Sequence, residues 1–240
     1  MQQMQSQKPL LGADNNALVA LLAINLVAYV LLGFLKVIYF LEGTPIEYFY
    51  KNIFHLFTLP TKGDQWLNQP WSLLTFNWIH DGFWALFTNM IWLSVFGYVL
   101  QMNHSNKHIF PIYFYSGLLG GIAFVAMSFA EGAQLIQFPL MGAGYSVTAI
   151  AIATTLFVPR YKFLTHIGNG IPLWIITVIY IAIQIASLTK YELVNSVLVI
   201  ISTCTGLVYV LLLKKGIDLG KWMHNLLHWI NKIAAPKNNG

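Results

Sequence analysis

Ionisable side chains are the scarcest class in this 240-residue chain: Asp, Glu, Lys and Arg together make up 9% of it, and only eight residues are acidic. Soluble domains carry about 25% charged residues, so an ordinary soluble fold is excluded. A single cysteine, Cys204, rules out an intrachain disulfide and any metal site built on several thiolates, and it leaves the redox compartment unreadable. Histidine is missing altogether between Gly168 and Asp218, which denies the last two apolar runs an imidazole base. Internal repeats and low-complexity segments are absent as well.

What fills the chain instead is hydrocarbon. Hydrophobic residues make up 57% of it and the mean hydropathy is +0.63, the composition of an all-α protein that crosses a membrane several times. Spanning needs roughly 20 mostly apolar residues, and six runs qualify: about 17–41, 83–99, 109–130, 140–158, 171–188 and 193–213. The first is too long for the apolar stretch of a signal peptide and no small-x-small site follows it, so it reads as an anchor that stays.

The formal charge of +5 raises the question of nucleic acid, but the basic residues form no patch; they follow topology. Lys8, Lys107, Arg160, Lys162, Lys214, Lys215, Lys221, Lys232 and Lys237 fall on one side if both termini face the cytoplasm. Glu42, Glu47, Asp64, Asp81, Glu131 and Glu192 fall on the other, with only Lys51, Lys62 and Lys190. The positive-inside rule therefore predicts six spans with both ends inside and the bilayer, not nucleic acid, as the surrounding partner. Within the spans the one ionisable residue is Lys36, near a helix end where it can snorkel. That argues against a transporter or channel, which needs charged or broken-helix sites at the midplane.

Three regions follow: a polar tail over 1–16, a membrane domain over 17–215, and a cytoplasmic tail over 216–240. The outer connection from Glu42 to Gly82 is rich in aromatics, among them Tyr48, Phe49, Tyr50, Phe54, Trp66, Trp71 and Trp78. It reads as an interfacial belt packed on the bundle or as a gate that docks another membrane segment. In the last tail, Trp222, Leu226, Trp229, Ile230 and Ile233 have the spacing of an amphipathic helix lying on the leaflet. His224 and His228 stand one turn apart, but with no third ligand beside them they read as a surface pair, and no metal or other cofactor is expected.

Against this apolar background the cluster Gly142-Ala143-Gly144-Tyr145-Ser146 stands out. Small and hydroxylic residues in a span mean close backbone packing or a chemical site. Pairs four apart recur at Gly142 and Ser146, Ala149 and Ala153, Gly117 and Gly121, and Ser202 and Gly206; they read as packing.

Taken with Trp71-Ser72-Leu73-Leu74-Thr75, His80-Asp81-Gly82, Asn89-Met90 and Phe96-Gly97, the cluster resembles the rhomboid family of intramembrane serine proteases in its bacterial six-helix form. The resemblance runs from about Ala17 to Lys215. It implies a six-transmembrane-helix, rhomboid-like bundle in a bacterial inner (cytoplasmic) membrane. Rhomboids read His-x-x-x-Asn on the second helix, Gly-x-Ser at the start of the fourth, and His-x-Gly-Gly on the sixth, with a further glycine one turn on. The serine attacks the peptide carbonyl, the sixth-helix histidine takes its proton, and the second-helix pair helps hold the oxyanion.

Carried over residue by residue, the framework is present and the chemistry is not. Asn89 matches the second-helix asparagine, but Ala85 stands four residues before it where the histidine belongs. Gly142 opens the fourth-helix motif, but Gly144 holds the place of the serine, and the Tyr145 phenol could fill the vacated space. On the sixth helix, anchored at Gly206, Val199 stands for the histidine and Ile201 and Ser202 for the two glycines. His80 reads as a cap or loop support. Ser146 as a displaced nucleophile paired with His80 is the alternative. Two residues along a helix turn a side chain by about 200°, so that pair needs the helix to unwind or rotate.

Losing nucleophile or base from a coupled pair costs on the order of 10⁶ in turnover. The resemblance therefore implies a pseudoprotease that binds transmembrane segments of other membrane proteins, with Asn89 and the aromatic connection as contacts.

Overall fold

The computed structural model describes residues 16–130, 138–166, 168–186, 192–223 and 225. The six apolar runs are helices: α1 (Ala17–Leu41), α5 (Phe83–Asn103), α6 (Ile109–Ala130), α7 (Gly144–Phe157), α8 (Leu173–Ala186) and α9 (Glu192–Lys214). Between α1 and α5 the connection folds into α2 (Ile46–Asn52), α3 (Gly63–Trp66), α4 (Ser72–Thr75) and two turns of 3-10 helix. Four helices, α1, α5, α6 and α9, are long and apolar enough to cross a membrane. Helices α7 and α8 have 14 residues each, about 21 Å against about 30 Å of hydrocarbon.

Both short helices fall inside their predicted runs for visible reasons. Leu140 cannot begin α7, because its backbone exchanges hydrogen bonds of 2.9 and 3.0 Å with Leu59 of the outer connection. The chain then turns at Gly142, whose φ of +93° is open to glycine and strained for other residues, and whose N–H donates to the Phe76 carbonyl. The helix starts two residues later. At the start of the fifth run, Ile171–Pro172 (β2) pairs antiparallel with Lys162–Phe163 (β1), so α8 opens at Leu173. Helix α5 runs four residues past the predicted Val99.

Helix α7 is the core of the bundle. Ser146 to Ala151 are all buried, and α5, α6 and α9 surround them. Gly206 on α9 seats against the Ala149 backbone, the close approach that small residues permit in lipid. Gly117 and Gly121 on α6 do something else: they admit the outer connection, with Asn77 2.8 Å and Leu73 2.7 Å from where a Cβ would stand.

The aromatic connection packs on the bundle, as Leu59 and Phe76 join Phe124, Val125 and Leu140 in one buried cluster. Phe49 sits edge-on to Tyr39 and Tyr50. Near the end of α1, Lys36 Nζ donates to Tyr50 OH at 2.8 Å, and that hydroxyl donates to the exposed Asp81 at 2.9 Å. This relay ties the C-terminal end of α1 to the turn before α5. After α9, residues Gly216 to Met223 fold back on α6, where Tyr115 OH donates to the Leu219 carbonyl and accepts from the Trp222 indole. The amphipathic pattern at 226–233, His224 and His228 lie outside the described residues.

Candidate functional site

The site is built where the connection between α1 and α5, the start of α5 and the start of α7 meet. His80 is buried, and its Nε2 accepts the Ala143 N–H at 3.4 Å. Desolvation pushes its pKa down to about 4, against a smaller upward pull from the Trp78 backbone. The imidazole is thus neutral with its Nε2 lone pair already used, and it supports the turn into α7. One turn and a half into α5, half-buried Asn89 places Nδ2 3.8 Å from the Cβ position of Gly142 and Oδ1 3.5 Å from that of Gly144. Ala85, one turn earlier on the same helix, is exposed.

Gly144 itself faces a residue that the sequence reading missed. Where a Cβ would stand, the nearest atom is Gln184 Nε2 of α8, at 3.0 Å. That amide donates to Tyr180 OH at 2.8 Å and to the Gly144 carbonyl at 3.4 Å, and Tyr180 OH donates to the same carbonyl at 3.1 Å. Tyr180 packs between Trp92 and Phe96 of α5. Farther along, Thr177 bonds Thr155 of α7 at 2.6 Å. Thr177, Tyr180 and Gln184 stand at i, i+3 and i+7, one polar stripe on an otherwise apolar helix. That stripe was the signal in the sequence, and it faces α7.

Tyr145 does not fill the space beside Gly144. Its hydroxyl reaches α9 and donates to Asn195 at 2.7 Å. This contact and that of Gly206 on Ala149 advance together along the two chains, so α7 and α9 run parallel. Val199 lies between them on α9, buried. A valine there offers neither proton acceptor nor donor.

Ser146 points to the other side of α7. Its hydroxyl is fully buried, with the Tyr113 carbonyl at 2.8 Å and Asn77 Oδ1 at 3.1 Å as acceptors. Tyr113 OH in turn donates to the Asn77 carbonyl and meets the Asn25 carboxamide of α1. Ser146 and His80 are therefore each engaged with other groups. Asn25, Asn77 and Tyr113 escaped the sequence reading because a lone polar residue in each of three separate segments gives no local pattern.

The residues at the three catalytic positions of the resemblance, Gly144, Val199 and Ala85, carry no side-chain group that can attack, take a proton or donate to an oxyanion. The comparisons with known proteins agree on the family. The rhomboid domain model matches residues 67–216, more than half of the chain. Among curated proteins, Inactive RHOMBOID-like protein 8 of Arabidopsis thaliana is 30% identical over 121 residues, covering 42% of this chain and 34% of that protein. The chain thus matches about a third of the length of this curated relative. Its apolar helices, its motif framework and the matched domain together make it an integral, multi-pass membrane protein that belongs to the rhomboid family.

Proposed function

We propose that this chain is a catalytically inactive rhomboid whose role is to bind transmembrane segments of client proteins. It does so as a six-span bundle with both termini inside, in a cytoplasmic membrane of bacterial type. The charge distribution supports that orientation. The observation that carries the functional reading is Gly144: it has no side chain, and the space a side chain would enter is taken by the Gln184 amide, 3.0 Å from the Cβ position. Val199 in the place of the base and the engagement of Ser146 with Asn77 and Tyr113 support the same reading. The relative whose name describes it as inactive is consistent with it.

Two measurements on the full chain in vesicles test the proposal. A serine-directed fluorophosphonate probe is expected to leave the protein unlabelled and a model transmembrane substrate is expected to stay intact; labelling that disappears in Ser146→Ala overturns the inactive assignment. A photoreactive residue in place of Ala85 is expected to capture a co-reconstituted transmembrane peptide more than the same group in place of Cys204. Equal capture at both positions overturns client binding at this site.

A further inference from the structure

The carbonyl of Gly144 has more donors than it can use. Thr148 Oγ1 lies at 2.9 Å, Tyr180 OH at 3.1 Å and Gln184 Nε2 at 3.4 Å, around an oxygen with two lone pairs. Thr148 is one turn along the same helix and Tyr180 is buried, so both are fixed. Gln184 makes the longest of the three contacts, is half-buried and sits in the last turn of α8. Withdrawing it leaves the carbonyl satisfied.

What remains when it withdraws is a socket with a defined chemistry. It offers the Tyr180 hydroxyl oxygen, which loses its 2.8 Å bond from Gln184 and can accept another, and beside it the Asn89 carboxamide, which both donates and accepts. The group now seated there is a primary carboxamide. In hydrocarbon an unpaired carboxamide is costly, so a membrane segment that carries one gains by finding such partners.

We propose that Gln184 is a built-in stand-in for a client group: the socket at Gly144 takes the side-chain carboxamide of an Asn or Gln presented by a partner's transmembrane segment, and Gln184 leaves to admit it. This rests on the client-binding reading above and specifies what that site recognises. The Gln184 amide then sets a threshold, because a segment without a polar group cannot replace its hydrogen bonds.

The test uses the full chain in vesicles and two model leucine-alanine transmembrane peptides, one with a single Gln near its outer end and one with Leu there, with binding read by energy transfer. Wild type is expected to bind the Gln peptide more tightly than the Leu peptide by roughly threefold to tenfold, the range of one polar contact between helices in lipid. Gln184→Ala, by removing the competitor, is expected to raise affinity for the Gln peptide by a similar factor and leave the Leu peptide unchanged. Gln184→Met keeps the length without the amide; it serves the same purpose if the alanine variant does not fold. Tyr180→Phe is expected to shrink the preference.

If Gln184→Ala and Gln184→Met leave Gln-peptide affinity where it was, or raise both peptides equally, the stand-in is overturned while client binding survives. If neither peptide associates with any variant above random proximity in the bilayer, client binding falls and this proposal falls with it.

Discussion

Helix α7 has two polar faces that begin two residues apart, and they are sealed to different degrees. On the Ser146 face, side chains from four separate segments, Asn25, Asn77, Tyr113 and Ser146, form one buried hydrogen-bonded set. On the Gly144 face, Thr148 and Tyr180 are buried but Asn89 and Gln184 are only half-buried, and the Gln184 amide adds a redundant bond to the one Tyr180 of α8 already makes. In lipid, where no water is at hand, a sealed polar set specifies how helices assemble. The comparison teaches that the two faces do different structural work: the knot behind the helix ties four segments together, whereas the half-buried groups at the front hold fewer of them.

The strongest way to break this comparison is to put the chemistry back. Gly144→Ser combined with Val199→His is expected to acquire labelling by a serine-directed probe, whereas each single change stays silent, because nucleophile and base act as a unit worth on the order of 10⁶. The register rests on Val199 lying between Asn195 and Gly206, the α9 residues that meet Tyr145 and Ala149 of α7. Labelling by the pair confirms it. Silence of the pair, with Leu198→His or Ile200→His restoring labelling instead, moves the register by one residue.

Much of this architecture was legible in the sequence, since hydrocarbon leaves few choices. The apolar runs gave helices, and the motif order gave the family. Legibility failed where function depends on what faces what. Gln184 is three helices distant in sequence from Asn89, and only packing brings both to Gly144. The helix ends at Gly144 and Leu173 were missed for a similar reason: they are set by backbone pairs to Leu59 and to β1, which hydropathy does not register. Tyr145 was expected in the space beside Gly144, but its position on α7 and the presence of Asn195 draw its hydroxyl to α9 instead.

His80 joins the two faces, since its Nε2 holds the Ala143 N–H at the turn into α7. Its pKa is about 4 in the folded protein against 6.5 for a free histidine. Above pH 6.5 the side chain is neutral folded or unfolded, and its contribution is complete. As pH falls from 6.5 to 4 the unfolded form binds the proton first, so stability falls, by up to about 3 kcal/mol over the window, and then levels off. Thermal unfolding in detergent at pH 7.5 and 4.5 measures this. His80→Gln, which keeps an acceptor for Ala143 and cannot be protonated, is expected to lose that part of the pH dependence; an unchanged slope means that His80 is solvated.

The sharpest comparison is the smallest change, one methyl group placed on each face. A Cβ at Gly117 meets Asn77 Nδ2 at 2.8 Å, Asn77 Cγ at 3.0 Å and Ser146 Oγ at 3.3 Å, all held in the buried set. Those atoms cannot retreat without breaking their own bonds, so Gly117→Ala is expected to cost about 1–3 kcal/mol, the range for overpacking a filled site. A Cβ at Gly144 meets the far end of Gln184 at 3.0 Å and Asn89 Oδ1 at 3.5 Å. The amide can swing away because Thr148 and Tyr180 already serve the carbonyl it leaves. Gly144→Ala is therefore expected to stay within about 0.5 kcal/mol of wild type, as substitutions away from strained sites do. Unfolding midpoints of the two variants in the same detergent decide the matter. Equal losses at the two glycines mean that the Gly144 face is sealed as tightly as the other, and that Gln184 belongs to the scaffold and does not leave.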